Sequence, residues 1–177
     1  MNEASLRRLL NGVSTRRTSI SQALAQLKED FVFRRKNDVG RKMDAAIQDL
    51  LEISDAQEEL LEDHKSDTKQ RAETQQGLSE TTEGAAKRIG DIEKQSLFVT
   101  PDVTQAVGRA LSNQKNAVGR FSMEDLIGGM VSSKEATIAL NQAAAALLKA
   151  RDTMSASKSS TGFQEAMQML QSLAGDQ

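Results

Sequence analysis

The side chains that could do chemistry in this chain are few. His64 is the single histidine, and there is no cysteine among the 177 residues. A metal site needs several convergent donors, and His64 has only Asp67 one helical turn away. The carboxylates Glu58, Glu59, Glu62, Asp63 and Asp67 could gather a cation. Calcium loops, however, draw oxygen donors around a tight glycine turn, and that pattern is missing here. Without cysteine, thiolate nucleophiles, thiolate zinc and iron–sulfur clusters are excluded. Serine and threonine are abundant, but a nucleophile needs a positioned base, and no spacing supplies one. Gly108, Gly119, Gly128 and Gly129 form no phosphate-binding loop, since neither the Gly/Lys signature nor a preceding strand accompanies them. These readings predict no catalytic residue, no metal, no cofactor and no small-molecule substrate.

The basic clusters carry more information. Arg7-Arg8, Arg16-Arg17 and Arg34-Arg35-Lys36 could grip anionic lipid headgroups or nucleic-acid phosphates. No aromatics interleave them for base stacking, so a nucleic-acid partner is disfavoured. The net charge of −2 hides a strong asymmetry: +6 over residues 1–42, −8 over 43–97 and zero over 98–177. A basic helix folding back on an acidic one would use that asymmetry within the chain.

The elements that must position these groups are helices. Hydrophobic residues make up 38% and aromatics 3%, with five Phe, one Pro and no Trp or Tyr. A core of Leu, Ile, Val, Met and Ala suits slim helix-on-helix packing, and scattered Val and Ile argue against a sheet. Leu6, Leu9, Leu10, Val13, Ile20, Leu24, Leu27 and Phe31 recur at steps of three and four, predicting a helix near 3–36. Asn37-Asp38 is a plausible cap for a second helix near 38–63. Its seam runs Val39, Met43, Ala46, Leu50, Ile53, Gln57, Leu60, His64 in a heptad rhythm. A polar stretch near 66–98 has the seam Leu78, Thr82, Ala85, Ile89, Ile92. So little apolar surface predicts a helix that is either long and partly exposed or completed by a partner, and residues 65–83 could be frayed in isolation.

Thr100-Pro101-Asp102 is the strongest start signal, with Thr as cap, Pro at the first helical position and Asp at the positive helix end. Val103, Val107, Ala110, Leu111, Gln114, Val118 and Phe121 follow on one face. Ser122 with Asp125 and Ser132 with Glu135 compete as the next start, and Gly128-Gly129 favours a break near 128–132. Helices near 101–128, 132–156 and 162–174 result, the last carrying Met167 and Leu170. The expected fold is all-α, about five helices in antiparallel hairpins, as a bundle or an extended coiled-coil-like rod. Residues 1–98 would form a long hairpin region and 99–177 a second helical region.

Three stretches together, AIQDLLEISDAQEELLEDH (46–64), KQSLFVTPDVTQAVGRAL (94–111) and LNQAAAALLKARDTMSASKSSTGFQEAMQMLQSLAG (140–175), resemble the helical C-terminal region of a family of large bacterial envelope proteins of unknown function. The resemblance implies a piece of a longer, membrane-anchored protein, placed on the periplasmic side of the cell envelope. It implies no catalytic residues. The chain itself shows no signal peptide and no run approaching the ~20 apolar residues of a membrane span. Without the resemblance, the cytoplasm would be the expected compartment.

The residues predict a non-enzymatic interaction or scaffold module that binds a protein partner or itself through heptad-patterned faces. Leu78, Ile89, Ile92, Met167 and Leu170 are the expected interface. The alternative is a module for anionic membrane surfaces, acting through Arg7, Arg8, Arg16, Arg17, Arg34 and Arg35. A further alternative is a helical chaperone of the secretion or motility type.

Overall fold

The computed structural model describes residues 3–157 with Gly162 and Met167, the side chains of residues 3–15 and 18 excepted. Within these residues there are four helices and no strand: α1 (Glu3–Glu62), α2 (Thr68–Glu93), α3 (Pro101–Ser122) and α4 (Leu126–Ala156). The terminal helix expected near 162–174 lies almost wholly outside the described residues, Leu170 included.

The break expected at Asn37-Asp38 does not exist, and α1 runs through it as one helix. Asp38 could have turned its carboxylate back to cap a new helix. It instead pairs forward with Lys42 at 2.7 Å and Arg41 at 3.6 Å. Acid-before-base pairs one turn apart favour continuing the helix, and Val39, directly after Asp38, is anchored in the core. The basic N-terminal stretch therefore does not fold back on the acidic one.

The other boundaries are local chemistry. After Glu62, the Asp63 carboxylate accepts from the backbone N–H groups of Lys65 and Ser66 and from the Ser66 hydroxyl, closing a turn. Asp67 and Gln70 then cap α2 reciprocally, the Gln70 N–H donating to Asp67 at 2.8 Å. Helix α3 starts at Pro101 with Asp102 in its first turn, although the Thr100 side chain makes no capping bond. The break between α3 and α4 lies at 123–125, not at 128–132. Asp125 caps α4 through the Gly128 N–H at 2.8 Å. Gly128 and Gly129 sit inside the first turn of α4, where a Cβ on Gly129 would lie 2.3 Å from the Phe121 ring. These glycines serve close packing rather than helix termination.

Each helix packs on two others, α1 on α2, α2 on α3, α3 on α4 and α4 on α1. The short connections make neighbours antiparallel, which defines an up-and-down four-helix bundle. Residues 1–98 contribute α1 and α2 to this bundle, and residues 99–157 contribute α3 and α4. Its core is built from Val39, Met43, Leu50 and Ile53 of α1, Ile89 and Ile92 of α2, Val103 and Val107 of α3, and Leu140, Leu147 and Met154 of α4. A second, small cluster joins Ala72, Ala117 and Phe121, with Met130 against it.

Between the two clusters lies a polar layer with one residue from each helix. Gln57 and Gln75 exchange amide hydrogen bonds at 2.6 and 2.9 Å. Gln114 donates to Gln57 at 3.2 Å, and the Ser133 hydroxyl donates to Gln75 at 2.8 Å. Only Gln114 Oε1 in this layer is left without a partner. This explains how so polar a helix as α2 is accommodated. It buries Gln75, Ser79 and Thr82 alongside Ala85, Ile89 and Ile92; Gln75 finds its partners across the bundle, and the Thr82 hydroxyl donates to the Leu78 carbonyl of its own helix at 2.8 Å. Arg71, also buried, donates to the Leu60 carbonyl at 2.7 Å and to the Ser66 carbonyl at 3.2 Å.

Candidate interaction site: the arm of α1

Helix α1 is longer than the bundle it joins. Its core contacts begin at Val39, so residues 3–36 form an arm about 50 Å long at 1.5 Å per residue. Every described side chain from Arg16 to Phe31 is exposed. Among them are four large apolar groups, Ile20, Leu24, Leu27 and Phe31, each 61–65% exposed.

Their spacing makes a stripe. At 100° per residue, the four lie within about 60° of one another around the helix. That is the narrow width of a coiled-coil seam, below the ~100° face of a helix seated on a globular core. Arg16 and Arg34 fall about 20° beyond one edge, and Arg17 and Arg35 about 20° beyond the other. Lys28 lies past the second edge and Asp30 past the first, while Glu29 points away from the stripe. All these charged side chains are exposed.

The stripe does not simply prolong the core face. Phe31 and Val39 are eight residues apart, so the seam reaches the bundle about 80° off the core face. It lies instead on the flank of α1 that bears Lys42 and Asp49. Lower down, α2 and the loop after it cover this flank: Lys42 donates to Gln95 at 2.9 Å, and Asp49 pairs with Arg88 at 2.7 Å. Helix α2 stops at Glu93. The stripe thus occupies the lane that a longer α2 would cover, and among the described residues nothing fills it.

The base of the arm is tied to α4. Lys36 donates to the Ser155 and Ser157 carbonyls at 2.6 and 2.7 Å, placing a cation on the negative end of that helix. Arg151 pairs with Asp44 at 2.9 Å, and this contact raises the guanidinium's pKa further. A groove lined by Phe33, Lys36, Gly40, Arg41, Asp44 and Arg151 runs between the arm and α4. Its Lys36 and Arg151 are engaged across it, so it forms the joint between arm and bundle, with Arg34 also on its wall.

Two of the sequence-predicted interface residues, Ile89 and Ile92, are core residues with 0% and 2% exposure, and Leu78 is half-buried against the same core. They face the chain's own helices, which corrects the expectation that this segment is completed from outside. Met167 is exposed and Leu170 lies outside the described residues. Of the expected anion contacts, Arg16, Arg17, Arg34 and Arg35 are exposed on the arm as two pairs about 27 Å apart, while the side chains of Arg7 and Arg8 lie outside the described residues. His64 is exposed at the α1–α2 turn, and no three metal-ligating side chains converge among the described residues. The Ile20–Phe31 stripe was present in the sequence as a helix seam. The signal that it belongs to a different surface from the Val39 seam is the eight-residue step between them.

Fold and site together define a four-helix bundle with a projecting, seam-bearing helical arm. No family model, curated protein or solved structure matches the chain. No helix among the described residues is long and apolar enough to cross a membrane.

Proposed function

We propose that this protein is a non-enzymatic interaction module in which the bundle is the folded base and the arm of α1 presents a helix-docking seam. The observation that carries the reading is the narrow stripe Ile20–Leu24–Leu27–Phe31, exposed on a helix whose other half is packed. Isolated helices of this kind are marginal in water, and heptad seams gain most of their stability from a second helix. Filling the lane above α2 would bury all four side chains.

The test is amide hydrogen exchange on the full chain, read together with light scattering, with and without added synthetic heptad helices. Arm amides should exchange far faster than those of the Val39–Leu60 stretch, and should become protected when a helix docks. The double variant Leu24→Asp, Leu27→Asp should abolish that protection and leave the bundle unchanged. Arm protection that neither an added helix nor the double variant alters would sink the reading.

A second reading, contact with an anionic membrane surface, is favoured by the arginines that bracket the stripe, since long cationic side chains can reach headgroups while the stripe meets acyl chains. The narrowness of the stripe and the exposed Phe33 away from it favour the helix partner.

A further inference from the structure

Resting on the helix-docking reading, we infer that the arm's partner is an acidic amphipathic helix of another protein, one with apolar residues at seam spacing and carboxylates along both edges of that seam.

The edges of the stripe carry the argument. Arg16, Arg17, Lys28, Arg34 and Arg35 border it, with Asp30 the single acid past an edge, all exposed, and between residues 16 and 35 no acidic side chain lies within its width. In a two-helix seam the flanking positions of one helix meet those of the other, and their charges set partner choice. Five cations against one carboxylate at the border call for a predominantly acidic helix opposite.

The same arrangement opposes a second copy of this chain. Parallel copies in register superpose Arg17 on Arg17 and Arg34 on Arg34. Antiparallel copies that match Ile20 with Phe31 and Leu24 with Leu27 set Arg17 against Arg34 and Arg16 against Arg35. Like charges meet either way, and like-charge juxtaposition disfavours a pairing. The lane geometry adds a preference for a helix over a lipid surface. The stripe continues the flank of α1 on which α2 already lies, so a helix seated there extends an existing helix–helix interface.

The acidic character of the partner is testable with defined probes. Fluorescence anisotropy of two synthetic helices of about four heptads is measured against the full chain. Both carry Leu at the seam, one with Glu and the other with Lys at the flanking positions. The acidic helix should bind about tenfold or more tightly than the basic one, with the difference shrinking at high salt. The variant Arg16→Glu, Arg17→Glu, Arg34→Glu, Arg35→Glu should reverse the preference, and Leu24→Asp with Leu27→Asp should abolish binding of both.

Equal binding of the two helices overturns the charge inference but leaves the helix-docking reading standing. Binding of neither helix overturns both. In that case a dimer with protected arm amides identifies a second copy as the occupant. A monomer with protected arm amides identifies the chain's own C-terminal segment. Salt-sensitive binding to phosphatidylglycerol vesicles, with no binding of the acidic helix, identifies a membrane surface.

Discussion

The two halves of α1 are written in nearly the same pattern and meet opposite fates. From Val39 to Leu60, steps of three and four place Val39, Met43, Leu50 and Ile53 in the interior, with at most 3% exposure. From Ile20 to Phe31, the same steps leave four equally large side chains in solvent. Hydrophobic periodicity therefore specifies a face but not its occupant. The bundle half finds α2 and α4 because short turns return the chain alongside it. Helix α2 ends opposite Lys42 and α4 ends near Lys36, so the arm outruns both.

The comparison can be broken most sharply by truncating matched side chains. Leu50→Ala, in the filled core, should lower the unfolding free energy by about 2–5 kcal/mol. Leu27→Ala, in the arm, should change it by about 0.5 kcal/mol or less. Denaturant titration of the two variants measures both. A comparable loss from Leu27→Ala would show that the arm stripe is covered within the folded chain.

The next effect lies in the polar layer, which the bundle half has and the described stripe lacks. Gln75→Leu removes the partner of Gln57 and Ser133, leaving buried polar atoms unpaired, at a cost of about 1–3 kcal/mol. Replacing all four members by apolar residues should recover much of that loss. Denaturant midpoints of the single and quadruple variants test this.

Where the halves join, Lys36→Met removes the cation from the last carbonyls of α4. A loss of about 0.3–1 kcal/mol is expected, accompanied by faster amide exchange in the last turn of α4. Unchanged exchange there would mean that the arm is not anchored through this contact.

The smallest effect concerns pH and should be confined to the bundle. The hydrogen bond from Arg120, aided by the Gly128 N–H, holds the Asp125 carboxyl below its ordinary range. A depressed folded-state pKa adds stability above the unfolded value, and that stability is lost as pH falls through the folded one. In acid titrations below about pH 4, wild type should therefore lose stability that Asp125→Asn does not lose, since the amide still caps but cannot titrate. The arm's exchange rates should be indifferent to this substitution.

Much of this architecture was legible residue by residue. The Val39–Leu60 seam, the start of α3 at Pro101 and the core positions Val103, Val107, Leu140 and Leu147 follow from periodicity and capping. These are short-range facts: one helical turn senses its own apolar spacing and its own cap. The helix boundaries near 37 and 128 are ambiguous in sequence because the same residues serve two purposes. Asp38 caps or pairs forward, and a glycine pair ends a helix or admits a ring. Which happens depends on Lys42 in the first case and on Phe121 in the second.

By itself, then, the sequence determined an all-helical chain, the apolar stripe of each helix, the absence of cysteine and thiol chemistry, and a basic start followed by an acidic middle. Only the tertiary structure decided which stripes are filled. It buried Ile89 and Ile92, joined Gln57, Gln75, Gln114 and Ser133 from four distant places into one layer, and left Ile20, Leu24, Leu27 and Phe31 bare. The reason is physical. A stripe is a property of local geometry, whereas its burial depends on where other helices begin and end, and that is set by turns remote from it in the chain.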